Sequence, residues 1–122
     1  MPPYTAQSLP KTHRLRRRKE FIRVQNRGMS AHSGFFTILY QRNTHDHARL
    51  GITVTKKTGG AVVRNRQKRW IREFFRLNRN FFMDGHDTVI IPGRKSVLLD
   101  HAAFNRELKT ITMRAMKKGP GR

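Results

Sequence analysis

With 122 residues the chain holds one domain and a single modest core, which excludes a large multi-domain enzyme. It carries 27 Lys and Arg against 7 Asp and Glu, a formal net charge of +20, so the expected partner is a polyanion, nucleic acid ahead of an anionic membrane surface. The absence of cysteine excludes disulfides, thiolate metal sites and cysteine nucleophiles, and with no apolar run near ~18 residues and no secretory pattern in Met1 to Gln7, a cytoplasmic protein without membrane contact is expected.

Residues 1–13, with Pro2, Pro3 and Pro10, read as a mobile basic arm leading into the cluster Arg14, Arg16, Arg17, Arg18 and Lys19. From Arg18 to Arg27 the spacing of Phe21, Ile22 and Val24 predicts a short helix ended by Gly28. A short strand is expected near Met29 to His32, then a strand over Gly34 to Tyr40 and another over Arg49 to Thr55, where apolar residues alternate with small or polar ones. The polar turn Asn43 to His47 suggests that these last two pair as an antiparallel hairpin. After Gly59-Gly60, Ala61 to Arg79 lacks Gly and Pro and reads as a long helix. Its expected core face holds Val63, Trp70, Phe74 and Leu77, flanked by Ile71 and Phe75. Arg64, Lys68, Arg69, Arg72, Arg76 and Arg79, with Asn65 among them, fill a separate arc of about 140°. Asp87 to Ile91, stopped by Pro92-Gly93, has the profile of a buried strand reached by a crossover. Asp100 is placed to cap a last helix over His101 to Met116, with Phe104, Leu108, Ile111 and Ala115 at helical spacing. Residues 117–122 read as a basic disordered tail. The order is α-β-β-β-α-β-α, an α+β fold with a sheet of about four strands and three helices in a domain spanning residues 14–116.

Catalytic chemistry is poorly represented. The seven acids, Glu20, Asp46, Glu73, Asp84, Asp87, Asp100 and Glu107, contain no close pair suited to acid and base work or to two metal ions. The histidines lack a His-Glu-x-x-His pattern, and His45 and His47 read as residues of a surface turn. Ser33 and Ser96 have no nucleophile signature, and Lys56-Lys57-Thr58-Gly59-Gly60 lacks the residue order of a nucleotide-binding loop.

Binding chemistry is abundant. Between Arg64 and Arg79 stand seven basic residues and one acid, more than solubility requires, and arginine suits bidentate phosphate contact and stacking on bases. Asn65 adds an amide that both donates and accepts. Trp70, Phe74 and Phe75 lie at core spacing. Phe21 is open between core and groove, and a strand aromatic such as Phe36 or Tyr40 could share a groove with it.

The run Gly60-Ala61-Val62-Val63-Arg64-Asn65-Arg66-Gln67-Lys68-Arg69-Trp70-Ile71-Arg72-Glu73 resembles the signature helix of the bacterial ribonuclease P protein subunit. Arg49 to Lys57, ending in a Lys-Lys pair, is similar to the strand that precedes that helix in the family, and Arg14-Leu15 with Lys19-Glu20-Phe21-x-x-Val24 is similar to its first helix. The resemblance covers about Arg14 to Met116. It implies a left-handed βαβ crossover, against the usual right-handed rule. It also implies the small subunit of a ribonucleoprotein endonuclease, one protein to one catalytic RNA, that removes the 5′ leader of precursor tRNA. Magnesium would be held by the RNA, and no metal by the protein. By position, Arg64, Asn65, Arg66, Lys68, Arg69 and Arg72, with Lys56 and Lys57, would contact RNA, joined by Arg16 and Arg17 of the basic cluster. Phe21, with Phe36 and Tyr40 on the sheet, would line a cleft for the leader. Where some relatives carry further cleft aromatics this chain has Gln25 and Leu39, and Tyr40 substitutes for the latter only if the strand register shifts by one. Composition alone would equally allow a structural RNA-binding protein of the ribosomal type. A protein-only nuclease would need a carboxylate or histidine cluster that the sequence does not show.

Overall fold

A computed structural model describes residues 9–121. The helix α1 spans Arg18–Arg27, and its start is set by Glu20, whose carboxylate accepts from the backbone N–H groups of Arg17 at 3.2 Å and Arg16 at 3.3 Å. Its end is set by close approach: a Cβ on Gly28 would meet the carbonyl oxygens of Val24 at 2.5 Å and Tyr40 at 2.8 Å. Four strands follow in chain order with two helices among them: β1 (Met29–His32), β2 (Phe36–Arg42), β3 (Arg49–Ile52), α2 (Ala61–Leu77), β4 (His86–Pro92) and α3 (His101–Lys117). Short 3-10 turns lie at Lys11–His13, Arg79–Phe81 and Arg94–Leu98. Asp100 caps α3, its carboxylate accepting from the Ala103 N–H at 2.8 Å. None of the described helices is long and apolar enough to cross a membrane.

The sheet order is β1-β2-β4-β3, with β1/β2 and β2/β4 antiparallel and β3/β4 parallel. The expected β2/β3 hairpin is therefore not formed, because β4 is inserted between the two strands. Every residue of β4 except the half-buried Ile91 is buried, so it takes the centre of the sheet, where neighbours on both edges satisfy its backbone and layers cover both faces. The parallel pairing of β3 with β4 is bridged by α2, the crossover such a pair requires.

Side chains alternate across the sheet. Phe36, Ile38 and Tyr40 of β2 and Ile90 of β4 join Ile71, Phe74 and Phe75 of α2 and Phe104, Leu108 and Ile111 of α3 in the main core. On the other face Val89 packs with Leu15 and Val24, with Phe21, Leu39 and Ile91 half-buried around them, so α1 covers that side. The register Leu39↔Val89 and Tyr40↔Thr88 assigns Leu39 to the α1 face and Tyr40 to the α3 face.

The inward face of α2 differs from the one expected. Gln67, Ile71, Phe74 and Phe75 are buried, whereas Leu77 is 64% exposed and Val63 and Trp70 are half-buried. The buried face is turned by about a fifth of a revolution from the expected one, toward Ile71 and Phe75, and a polar residue, Gln67, is buried within it. The Gln67 amide donates to Ser96 Oγ at 2.8 Å, and Ser96 Oγ donates to the Gly93 carbonyl at 2.6 Å. A hydrogen-bonded glutamine is tolerated in a core, but an apolarity count does not place it there.

Both ends of the domain are longer than expected. Leu9 is 3% exposed in the main core and the Thr12 carbonyl lies 2.8 Å from His47 Nε2, so residues 9–13 are anchored to the domain although Pro10, Lys11 and Thr12 are exposed. Residues 1–8 of the expected arm lie outside the described residues. At the other end the Tyr40 hydroxyl is 3.0 Å from the Ala115 carbonyl and 3.1 Å from that of Gly119. The Gly121 N–H donates to His86 Nε2 at 2.9 Å and its carbonyl accepts from Arg42 Nε at 2.8 Å. Residues 117–121 of the expected tail are thus fastened to the sheet, and Arg122 lies outside the described residues.

Candidate nucleic-acid interface

The outer side of α2 is where the basic arc lies. Asn65, Arg66, Lys68, Arg69 and Arg72, with Val62, line one shallow open recess. Arg66 is oriented by the core edge beneath it: its guanidinium sits 5.1 Å from the Trp70 ring centroid, and Trp70 in turn stacks on His101 at 4.6 Å. Arg64 is half-buried on the flank of the helix. Lys56 and Lys57 are exposed in the turn just before α2, which is closed by the Thr58 N–H donating to the Thr55 carbonyl at 3.0 Å.

A second recess lies between α1 and α2 at the outer edge of β3, where Arg14 bridges to Leu50. Its floor is Leu15, Phe21, Leu50 and Ile52, and its rim is Arg14, Lys68 and Arg72. Next to it Phe21, Ile52, Val54 and Lys68 meet Arg16 and Arg18 in a shallower hollow. Phe21 and Lys68 line both, so the ring of α1 and the basic face of α2 form one cleft. Gly51 makes this possible, because a Cβ there would meet the Phe21 ring at 2.8 Å and the Leu15 side chain at 2.9 Å. An apolar floor with a cationic rim suits a base on the floor and its phosphate on the rim.

Phe36 and Tyr40 are not in this cleft. Phe36 is 1% exposed and packs edge-to-face on Phe104 at 5.0 Å, and Tyr40 is 0% exposed with its hydroxyl among the carbonyls at the end of α3. The unshifted register of β2 turns both toward α3, and Leu39 is the β2 residue in the cluster that includes Phe21. Arg14, in contrast, belongs to the site although its position in the sequence marks it only as one cation in a cluster. Its Nε is buried without a hydrogen-bond partner. Burial, and then the charge of Arg14, lower the pKa of Arg72 from its ordinary value. Two arginines lining one recess whose lining holds no acid are stabilised by an anion bound there.

Asp87 and Glu20 are committed to ion pairs of their own. Asp87 has no exposed side-chain surface and accepts from Arg49 at 2.8 Å through both oxygens, from Asn43 Nδ2 at 2.8 Å and from Arg23. Burial alone would raise its pKa, but the Arg49 and Asn43 hydrogen bonds and the charges of Arg49 and Arg23 hold it below the ordinary carboxylate value. Glu20 pairs with Arg49 at 3.0 Å, and the Arg17 and Arg16 N–H groups help hold its pKa low against the effect of burial. Among the described residues no three His, Asp or Glu side chains are grouped so as to hold a metal ion.

The sequence profile of the family described as Ribonuclease P matches residues 9–116, which include all of this interface. The ribonuclease P protein component of Syntrophus aciditrophicus is 44% identical over 101 residues, covering 83% of this chain and 85% of that protein. That of Thermotoga maritima is 40% identical over 89 residues, 73% of this chain and 76% of that protein. The structure of the Staphylococcus aureus RNase P protein superposes with a TM-score of 0.81 at 30% identity, covering 86% of this chain and 96% of that one. These likenesses favour this reading over the structural ribosomal one, and the chain belongs to the bacterial ribonuclease P protein family, as the protein component of ribonuclease P.

Proposed function

We propose that, as partner of the ribonuclease P RNA, this protein holds the single-stranded 5′ leader of precursor tRNA in the cleft between α1 and α2. The outer face of α2, with Lys56 and Lys57, contacts the catalytic RNA, one protein to one RNA, and Arg16 and Arg17 contact RNA beside the cleft. The observation that carries this is the meeting of Phe21 with Lys68, Arg14 and Arg72 in one recess without a carboxylate in its lining. A single strand is gripped by such a combination, the base against a ring and the phosphate on cations. Hydrolysis belongs to the RNA, which binds the magnesium ions, and the protein lowers the magnesium required by contributing fixed positive charge along the RNA.

The test is cleavage of a 5′-extended precursor tRNA at low magnesium by the protein alone, a bacterial catalytic RNA alone, and the mixture. Cleavage at the mature 5′ end by the mixture only is expected. Cleavage by the protein alone, or a mixture no better than the RNA, would overturn the proposal. Phe21→Ala is expected to leave binding of the catalytic RNA unchanged and to weaken precursor binding by roughly 1–3 kcal/mol. Equal weakening for mature tRNA would remove Phe21 from the leader site.

A further inference from the structure

A third recess opens beside the start of α1, on the side away from α2. Lys11 of the first 3-10 turn and Arg14, Arg16, Arg17 and Lys19 form one wall. His45 and His47 of the loop between β2 and β3, with Arg49, form the other. Glu20 is the only acid in the lining, and its carboxylate is taken by Arg49 at 3.0 Å and by the Arg16 and Arg17 N–H groups. A concave surface with this much uncompensated positive charge focuses field on a polyanion.

The histidine wall is built rather than loose. His47 Nε2 lies 2.8 Å from the Thr12 carbonyl and its Nδ1 3.0 Å from the Asp46 carboxylate, both hydrogen-bond acceptors for imidazole N–H groups. The His13 ring packs edge-on at 4.6 Å. These contacts tie the loop to the first turn and fix the width of the recess.

The recess is also continuous with the leader cleft. Arg14 lines both this recess and the pocket over Phe21, and Arg16 lines both it and the shallower hollow beside that ring. We infer that the leader's track runs on past Phe21 over Arg14 and Arg16 into this basin, where phosphates of nucleotides farther from the cleavage site are held by Lys11, Lys19 and their neighbours. The inference rests on the leader reading given above and extends it to a second, charge-dominated subsite that makes affinity depend on leader length.

The experiment compares holoenzyme affinity for mature tRNA, a short-leader precursor whose leader ends over Phe21, and a long-leader precursor. It uses the wild-type protein, Lys11→Ala with Lys19→Ala, and the charge reversal Lys11→Glu with Lys19→Glu. The wild type should bind the long leader more tightly than the short one. The alanine pair should lose several-fold of that advantage, with the salt slope for the long leader falling by ~0.7 per lost phosphate contact, and the reversal should lose more. An unchanged long-to-short ratio in both variants overturns the inference. Equal loss for short and long leaders does so as well, by assigning the basin to the catalytic RNA. If the wild type prefers the short-leader precursor to mature tRNA but gains nothing from the longer leader, the basin fails while the cleft stands. Equal binding of mature tRNA and both precursors means that the leader reading itself has failed.

Discussion

Asp87 shows how much one residue's role depends on its neighbours. In the sequence it is one of seven scattered acids, and in the fold it joins Arg23 of α1, Arg49 of β3 and Asn43 of the β2–β3 loop at the start of the central strand. Its folded pKa lies below its unfolded value of about 3.9, so its stabilising effect is present above that value and is lost as pH falls through the depressed folded one. Urea unfolding as a function of pH should therefore show stability falling on acidification below about pH 4. Asp87→Asn should cost roughly 3–5 kcal/mol at neutral pH and flatten much of that acid dependence, because it leaves Arg49 buried with one counter-charge fewer. A neutral effect at pH 7 would show that the cluster contributes little. Gly51 is the second case at this scale. Gly51→Ala should displace the Phe21 ring and weaken leader binding with little effect on catalytic-RNA binding, since the added Cβ meets that ring at 2.8 Å. Crystallography of the variant with the ring unmoved would contradict this.

At the scale of the element, α2 works as a partition. One side fills the core with Ile71, Phe74 and Phe75 and the other offers Asn65, Lys68, Arg69 and Arg72 to solvent. The cationic side was legible in the sequence because long charged residues stay out of cores and therefore mark the outer arc directly. The apolar side was legible only approximately. Leu77 counts as core by type yet is exposed near the end of the helix, and Gln67 counts as surface by type yet is buried on Ser96. Arg64→Ala and Lys68→Ala should each weaken binding of the ribonuclease P RNA and reduce the salt slope by up to ~0.9. Filter binding over a salt series measures it, and an unchanged slope in both variants would take this face out of the RNA interface.

For the whole molecule, the decisive feature is that β4 lies between β2 and β3. This brings the edge of β3 beneath both α1 and α2, so residues 14, 21, 52, 68 and 72, distant in the chain, line one recess. The C-terminal segment belongs to this scale as well. Deleting residues 119–122 removes the acceptor at Gly119 for Tyr40 and both backbone contacts of Gly121. A loss of about 1–3 kcal/mol is expected by thermal or urea unfolding, with the fold kept, and no loss would mean that these contacts do not outweigh the cost of ordering the tail.

Element types and their order were present in the chain as local patterns. Gly28 and Asp100 mark helix ends, aromatic and β-branched residues mark β2, alternation marks β3, and the Arg-Asn-Arg helix with its Lys-Lys lead-in identified the family. Each of these is set by neighbours within a turn or two, so a linear reading recovers it. What the fold alone decided was the partner of each face: that β3 lies beside β4 and not β2, that Phe36 and Tyr40 serve the core, that Arg14 and Arg72 line one recess, and that Leu9 and residues 119–121 are anchored to the domain. Those outcomes come from covering both faces of an almost wholly buried central strand at once, a long-range packing condition that no local window contains.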